Sequence, residues 1–386
     1  MKIIHTSDVH LDRCFVGSSQ SVHFGNRRRQ SLRDVFQTII SRAREWPADI
    51  LLIAGDLFEY DRVTSDTIAF IRNEFKSIPN TLIFIAPGNH DPYIPDSPYA
   101  TESWPENVHV FKKSTWESAS VHGGAAYVHG FGYNSPYFTE NPFGQLAIPE
   151  KQRDAIHLAV AHGSETAHRP ADKEEYAPFS VQQAVTPSLH YLALGHYHAG
   201  RELKGDFDTR VFYSGSPEGV SFQEIGMHHF VEIEIQSGDA PVVVNPVPVS
   251  RVIYIDEELP CDTFKTSEEV TGAIRTIAQG YEVQVIGRFT LTGVCEPDIQ
   301  SEIGLIHDSA SLDFEYLEVI DGTNPCEDYA ELAREDTSLG LYSRVLNAKI
   351  DAAGDGARRE MLERARELGI AAFRDRNVEI KGLERG

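Results

Sequence analysis

"TLIFIAPGNHDPY", residues 81–93, takes a short apolar run through Pro87 and Gly88 and delivers an amide, an imidazole and a carboxylate, Asn89, His90 and Asp91, to one place. Polar groups beyond the carboxyl end of a buried strand are the usual form of a site in an α/β sheet. The same form occurs twice upstream. "MKIIHTS" (1–7) reads as a buried strand that leads to Asp8-x-His10, and "ADILLIAG" (48–55) reads as another that leads to Asp56. Between them, "RRRQSLRDVFQTIISRARE" (27–45) sets Leu32, Val35, Phe36, Ile39, Ile40 and Ala43 at helical spacing, and "SDTIAFIRNEF" (65–75) gives a second helix. This βαβαβ rhythm predicts a parallel sheet over the first 90 residues.

From about residue 106 the texture changes to "NVHVF", "AAYVHGFGY", "IHLAVAHG", "YLALGHYH", "RVFYSGS" and "HHFVEIEI", separated by turn residues. These runs predict a second, more antiparallel sheet. "QSGDAPVVVNPVPVSR" carries prolines that suit an edge strand or an extended linker, and a boundary is expected near residue 250. Residues 251–322 hold the elements of a small α+β domain, and 323–386 read as a helical tail with charged and apolar faces.

A chain of 386 residues with 41% hydrophobic residues can bury a core and exceeds one average domain. The N-terminus lacks a basic start followed by a long apolar run, and no stretch has the length of a membrane span, so a cytoplasmic protein without a membrane partner is expected. Cys14, Cys261, Cys295 and Cys326 form no CxxC pair and read as free thiols, with Cys14 as packing. A formal net charge of -23 argues against a protein that coats nucleic acid, although Arg27, Arg28 and Arg29 form a local basic run that could meet DNA phosphates.

The polar residues at strand ends continue with His162-Gly163 and Gly195-His196-x-His198. Asp, Asn and His in this mixture suit manganese, iron or zinc better than an all-oxygen site would. Asp8, His10, Asp56, Asn89, His162, His196 and His198 are too many for one ion, whereas two ions sharing Asp56, about 3.5–4 Å apart, would use them all. Any single motif of this kind more often caps a turn; His5, His122, His129, His157, His228 and His229 are assigned to that ordinary role.

"SDVH", "AGDLF", "PGNHD", "AHG" and "GHYH" in this order resemble the calcineurin-like metallophosphoesterases. "HTSDVHLD", "AGDLFEYDRVT" and "VFYSGSPEGVSFQEIG" resemble the DNA-repair exonuclease branch of that superfamily, the SbcD-type nucleases. The resemblance covers roughly residues 1–250. It implies a four-layer αββα sandwich with a capping domain, and two divalent cations, manganese first, with iron, magnesium or zinc as alternatives. One cation would take Asp8, His10, Asp56 and His198, the other Asp56, Asn89, His162 and His196.

A hydroxide bridging the cations would attack a DNA phosphodiester while His90 assists the leaving oxygen. Glu59 is proposed to orient His90, where some nucleases of the branch carry a histidine, and Asp91 to fix the loop. The resemblance further implies DNA as substrate, an SbcC-type coiled-coil ATPase docked on residues 323–386, and a possible homodimer. A small-molecule or protein phosphatase on the same centre is the alternative, and a scaffold with a relic metal site a third reading.

Overall fold

The computed structural model describes residues 1–15, 22–169, 174–325 and 328–374; Cys326 and residues 375–386 of the helical tail lie outside the described residues. Two compact units result. The first comprises Met1–Glu257, Ala273–Phe289 and Ala310–Glu318, the second Glu258–Gly272, Thr290–Ser309 and Val319–Gly386.

In the first unit the apolar runs become strands β1 (Lys2–Thr6), β2 (Ile50–Ile53), β3 (Leu82–Ile85) and β4 (Val108–Val110), joined in parallel. The crossovers from β1 to β2 and from β2 to β3 contain helices α1 (Val22–Glu45) and α2 (Ser65–Lys76). Thr64 caps α2 by accepting from the amide of Thr67, which fixes where the helix begins. Both helices pack their periodic apolar faces on the sheet, with Val35, Phe36, Ile39, Ile71 and Phe75 against Leu51, Ile53 and Ile83.

A second six-stranded sheet contains β5 (Glu117–Val121), β6 (Ala126–Phe131), β7 (Ile156–His162), β8 (Tyr191–Gly195), β9 (Arg201–Leu203) and β10 (Arg210–Tyr213), in the order β5-β6-β7-β8-β10-β9. Its centre corrects the expectation of a more antiparallel sheet. β6, β7, β8 and β10 run parallel, and only the edge strands β5 and β9 are antiparallel. The reason is burial on both faces: "HLAVA" and "YLALG" are continuous apolar runs, the pattern of central parallel strands, where an antiparallel sheet with one wet face would alternate.

Two runs assigned to the second sheet belong to the first. "NVHVF" is β4, and "HHFVEIEI" supplies β11 (His229–Glu234), antiparallel to β1. β12 (Val243–Pro248) then closes the first sheet as an edge strand, with Pro246 opposite Val231. Ile3, Ile50, Leu52 and Phe84 meet Val128, Leu158, Val160 and Ala193 in the space between the sheets. Phe143, Phe179, Val181 and Ala184 cover the outer face of the second sheet, partly through the one-turn helix Val181–Ala184. The layers are therefore helix, sheet, sheet and a thin helical cover, an αββα sandwich.

Beyond the sandwich, Val252–Pro260, Gln284–Thr292 and Tyr316–Asp321 form a three-stranded sheet. In the second unit, helices Ser338–Asp351 and Gly356–Phe373 pack together, and Tyr342 donates to the carbonyl of Ala365 at 2.6 Å. Cys261 and Cys295 are buried free thiols, whereas Cys14 is exposed and so does not pack. No helix among the described residues is long and apolar enough to cross a membrane.

Candidate metal centre

The ends of β1, β2, β3, β7 and β8 bring side chains of both sheets together. Asp56 follows β2 and occupies the middle. Its Oδ1 accepts from the amide of His90 at 2.9 Å, and its Oδ2 lies 3.4 Å from His162 Nε2 and 3.9 Å from His10 Nε2. His198 Nε2 is 3.8 Å from Asp8 Oδ1, and Asn89 Oδ1 is 3.1 Å from His162 Nε2. Three overlapping groups, Asp8 with His10 and His198, His10 with Asp56 and His90, and Asp8 with Asp56 and His162, have ligand atoms close enough to hold an ion.

The orientation of the rings decides what they offer. His10 Nδ1 contacts Glu59 Oε1 at 2.9 Å, His198 Nδ1 contacts Glu224 Oε1 at 2.7 Å, and His162 Nδ1 contacts the Ala54 carbonyl at 2.9 Å. An imidazole that donates from Nδ1 keeps a lone pair on Nε2, so an outer carboxylate or carbonyl fixes the ligating tautomer. His10 Nε2 and His198 Nε2 stand 3.2 Å apart, close enough that both could ligate one cation. The donor set fits divalent metal, with Asp56 Oδ2 facing both halves.

His196 is placed differently. Its ring meets that of His162 edge-on at 5.2 Å, while its Nε2 is 3.1 Å from the Glu174 carbonyl, which leaves Nδ1 as its ligating atom. Its backbone amide donates to both oxygens of Asp8, each at 3.1 Å. Asp91 is wholly internal and accepts from the amides of Asp56, Leu57 and Gly88 and from the Tyr99 hydroxyl, so it ties the ends of β2 and β3 together.

Backbone strain concentrates here. Asp8, His10, Asp56 and His196 have φ of 52°, 51°, 54° and 107°, a region that costs a residue with a Cβ about 1–2 kcal/mol. Such conformations persist where the surrounding fold over-determines them, commonly at functional sites. Close approach also explains two glycines: a Cβ at Gly88 would strike Asp56 Oδ1, and one at Gly195 would strike the Ala54 carbonyl.

Burial pushes the Asp56 carboxyl up, but the charges on His162, His90 and His10 outweigh it and hold it well below the usual range. Asp8 is likewise held low by His162 and His198 against its burial. Burial drives His196 down to about 3, with help from His162. His90 is resisted by burial yet raised to about 9, because Glu59 accepts from its Nδ1 at 2.7 Å and Asp56 is near. Its side chain is 42% exposed, so it is the imidazole of the cluster open to a substrate.

Residues 1–200 match the family model described as calcineurin-like phosphoesterase. The chain belongs to that family. It is 28% identical over 247 residues to an uncharacterized metallophosphoesterase, YhaO, of Bacillus subtilis (strain 168), an alignment covering 62% of this chain; the chain spans 58% of that relative's length. Among solved structures it is similar to TT1561 of Thermus thermophilus at 12% identity and a TM-score of 0.37, and to a dimetal phosphatase from Danio rerio at 10% and 0.42. Each of these covers 64% of this chain and 98% of the other.

Other residues of this phosphoesterase lie away from the centre or escaped the sequence reading. Arg28 is fully buried, with Nη1 2.8 Å from Glu218 Oε1 and Nη2 2.7 Å from the Gly219 carbonyl, which removes it from the residues that could reach a phosphate. Arg27 pairs with Glu315, and Arg29 donates to the Asn26 side chain. Glu224 was missed. It lies 26 residues from His198, and only its place in "SGSPEGVSFQEIG" marked it out. Ser7, which donates to Asp8 Oδ2, had no signal at all.

Proposed function

We infer that the protein is a dimetal phosphodiesterase that hydrolyses DNA in repair. The observation that carries this reading is the convergence of Nε2 atoms and carboxylate oxygens on Asp56 beside a half-open His90 held by Glu59. Asp8, His10, Asp56 and His198 are assigned to one divalent cation, and Asp56, Asn89, His162 and His196 to the other. When bound, such a pair supplies a nucleophilic water near neutral pH and neutralises charge on the phosphoryl oxygens. His90 supplies a proton to the leaving oxygen, which a deoxyribose alkoxide needs more than a good leaving group does. Glu59 keeps that ring donating from Nδ1, and Asp91 holds the loop that carries it.

DNA is favoured by the "VFYSGSPEGVSFQEIG" flank and by His90, and manganese is the first metal to try. An SbcC-type ATPase, and a second copy of the chain, belong to the same reading as partners; exposed Leu341, Val345 and Met361 on the two long tail helices support a docking role there. The net charge of -23 favours the second reading, a phosphatase for small molecules or phosphoproteins. Manganese-supported turnover of a single-stranded oligonucleotide, hairpin DNA, a nucleotide phosphodiester and a phosphoprotein separates the two. The DNA reading expects cleavage of the first three and a large loss in His90→Ala with metal retained; turnover confined to monoesters overturns it.

A further inference from the structure

A cavity of about 520 Å³ opens beside His198, walled among others by Arg13, Gln223, Ile225, Met227 and His228. It adjoins the metal centre directly, because His198 and Glu224 form part of its wall. The Glu224 carboxylate does not make it hostile to anions. One oxygen accepts from His198, and the other from the Val220 amide and the Ser216 hydroxyl, at 3.1 and 3.2 Å.

The remaining wall is mixed in a way the hydrolytic residues do not require. Ile225 and Met227 are 56% and 48% exposed, so two apolar side chains stand in water next to a polar centre. Gln223 brings an amide that can both donate and accept, and Arg13 brings a guanidinium. The volume lies in the range of small-molecule sites, about 300–1,000 Å³. A bare phosphomonoester would leave most of it empty, and an extended phosphopeptide calls for a backbone-pairing edge. A nucleoside has both a flat face for apolar contact and a hydrogen-bonding rim, and it arrives attached to phosphates.

We propose that this cavity is the subsite for the deoxynucleoside esterified to the scissile phosphate. Its base lies on the walls of Ile225 and Met227 with its rim toward Gln223, and Arg13 receives the neighbouring phosphate of the strand. The assignment rests on the phosphodiesterase reading above and adds to it what the site recognises.

The test uses the full chain loaded with manganese. Calorimetry measures binding of deoxythymidine 5′-monophosphate, and kinetics compare thymidine 5′-(4-nitrophenyl) phosphate with bis(4-nitrophenyl) phosphate, which has no nucleoside. Met227→Trp, which fills the cavity from a half-exposed position, is expected to weaken nucleotide binding at least tenfold. It should lower kcat/KM for the nucleoside ester at least ten times more than for the aryl diester, chiefly through KM. Arg13→Met should penalise a dinucleotide with a second phosphate at least fivefold more than the nucleoside ester. Equal losses on both esters, or unchanged nucleotide binding in Met227→Trp, overturn the subsite. Failure of the unaltered protein to cut an oligonucleotide, with nucleoside selectivity intact, overturns the DNA reading and leaves the subsite supported.

Discussion

Glu59 holds two imidazoles with one carboxylate, Oε1 on His10 Nδ1 at 2.9 Å and Oε2 on His90 Nδ1 at 2.7 Å. Burial alone would raise its pKa, but bonds to the two rings hold the carboxyl far below its ordinary range, so it stays ionised. His10 belongs to the candidate metal-holding groups and the His90 side chain is 42% exposed, so under the proposed function Glu59 would link cation binding to proton donation. Glu59→Gln keeps the shape but replaces one acceptor oxygen with an NH₂ that cannot accept from Nδ1. The expected outcome is a loss of about 10–100-fold in both manganese affinity and kcat, the usual effect of removing a partner of a metal-binding histidine. His90→Ala should lower kcat alone. Calorimetric manganese titration beside kcat for both variants checks this; Glu59→Gln with unaltered manganese affinity would refute the link through His10.

At the scale of elements, α1 is locked to the chain between β10 and β11 by a charge pair. The Arg28 guanidinium lies over the rings of Phe15 and Tyr254, 5.4 and 5.7 Å from their centroids, and pairs with Glu218, whose Oε2 also accepts from the Arg251 amide at 2.8 Å. Truncating one member of a buried pair strands the other charge, at a cost of about 3–5 kcal/mol. Arg28→Met should therefore lower the urea midpoint sharply, and Arg28→Met with Glu218→Gln should recover part of the loss; equal stability of the single variant and the parent contradicts the account. The same residue shows the limit of reading the chain alone. A run of three arginines looks identical whether it faces solvent or a carboxylate 190 residues away. Periodicity is local, so β1, α1, β2, α2 and β3 could be read, as could the Asp, Asn and His residues at strand ends. Strand direction in the second sheet, the insertion of β11 beside β1, and the partnership of Glu224 with His198 depend on pairings distant in sequence. Only the unbroken apolar character of β7 and β8 hinted at the first of these.

For the whole molecule, buried histidines outside the candidate ligand set add to the response to acid. His5, bonded to the Tyr191 hydroxyl at 2.9 Å, is pushed down to about 3 by burial, and His129, between Ser118 and His157, to about 4 by burial and the His157 ring. Both folded values lie below the ordinary 6.5, so the fold refuses protons that the unfolded chain accepts. The stability they contribute is whole above pH 6.5 and drains away as pH falls toward those folded values, at about 1.4 kcal/mol per pH unit for each ring. Asp91, raised to about 6 by burial and Asp56, opposes them, since the fold takes up its proton before the unfolded chain does. Comparing the parent with His5→Gln/His129→Gln cancels that opposing contribution. Urea unfolding in chelator at pH 7, 6 and 5 should show the parent losing stability more steeply than the double variant, with a widening gap below pH 6.5. Parallel curves would mean that these two rings titrate in the folded state as they do in water.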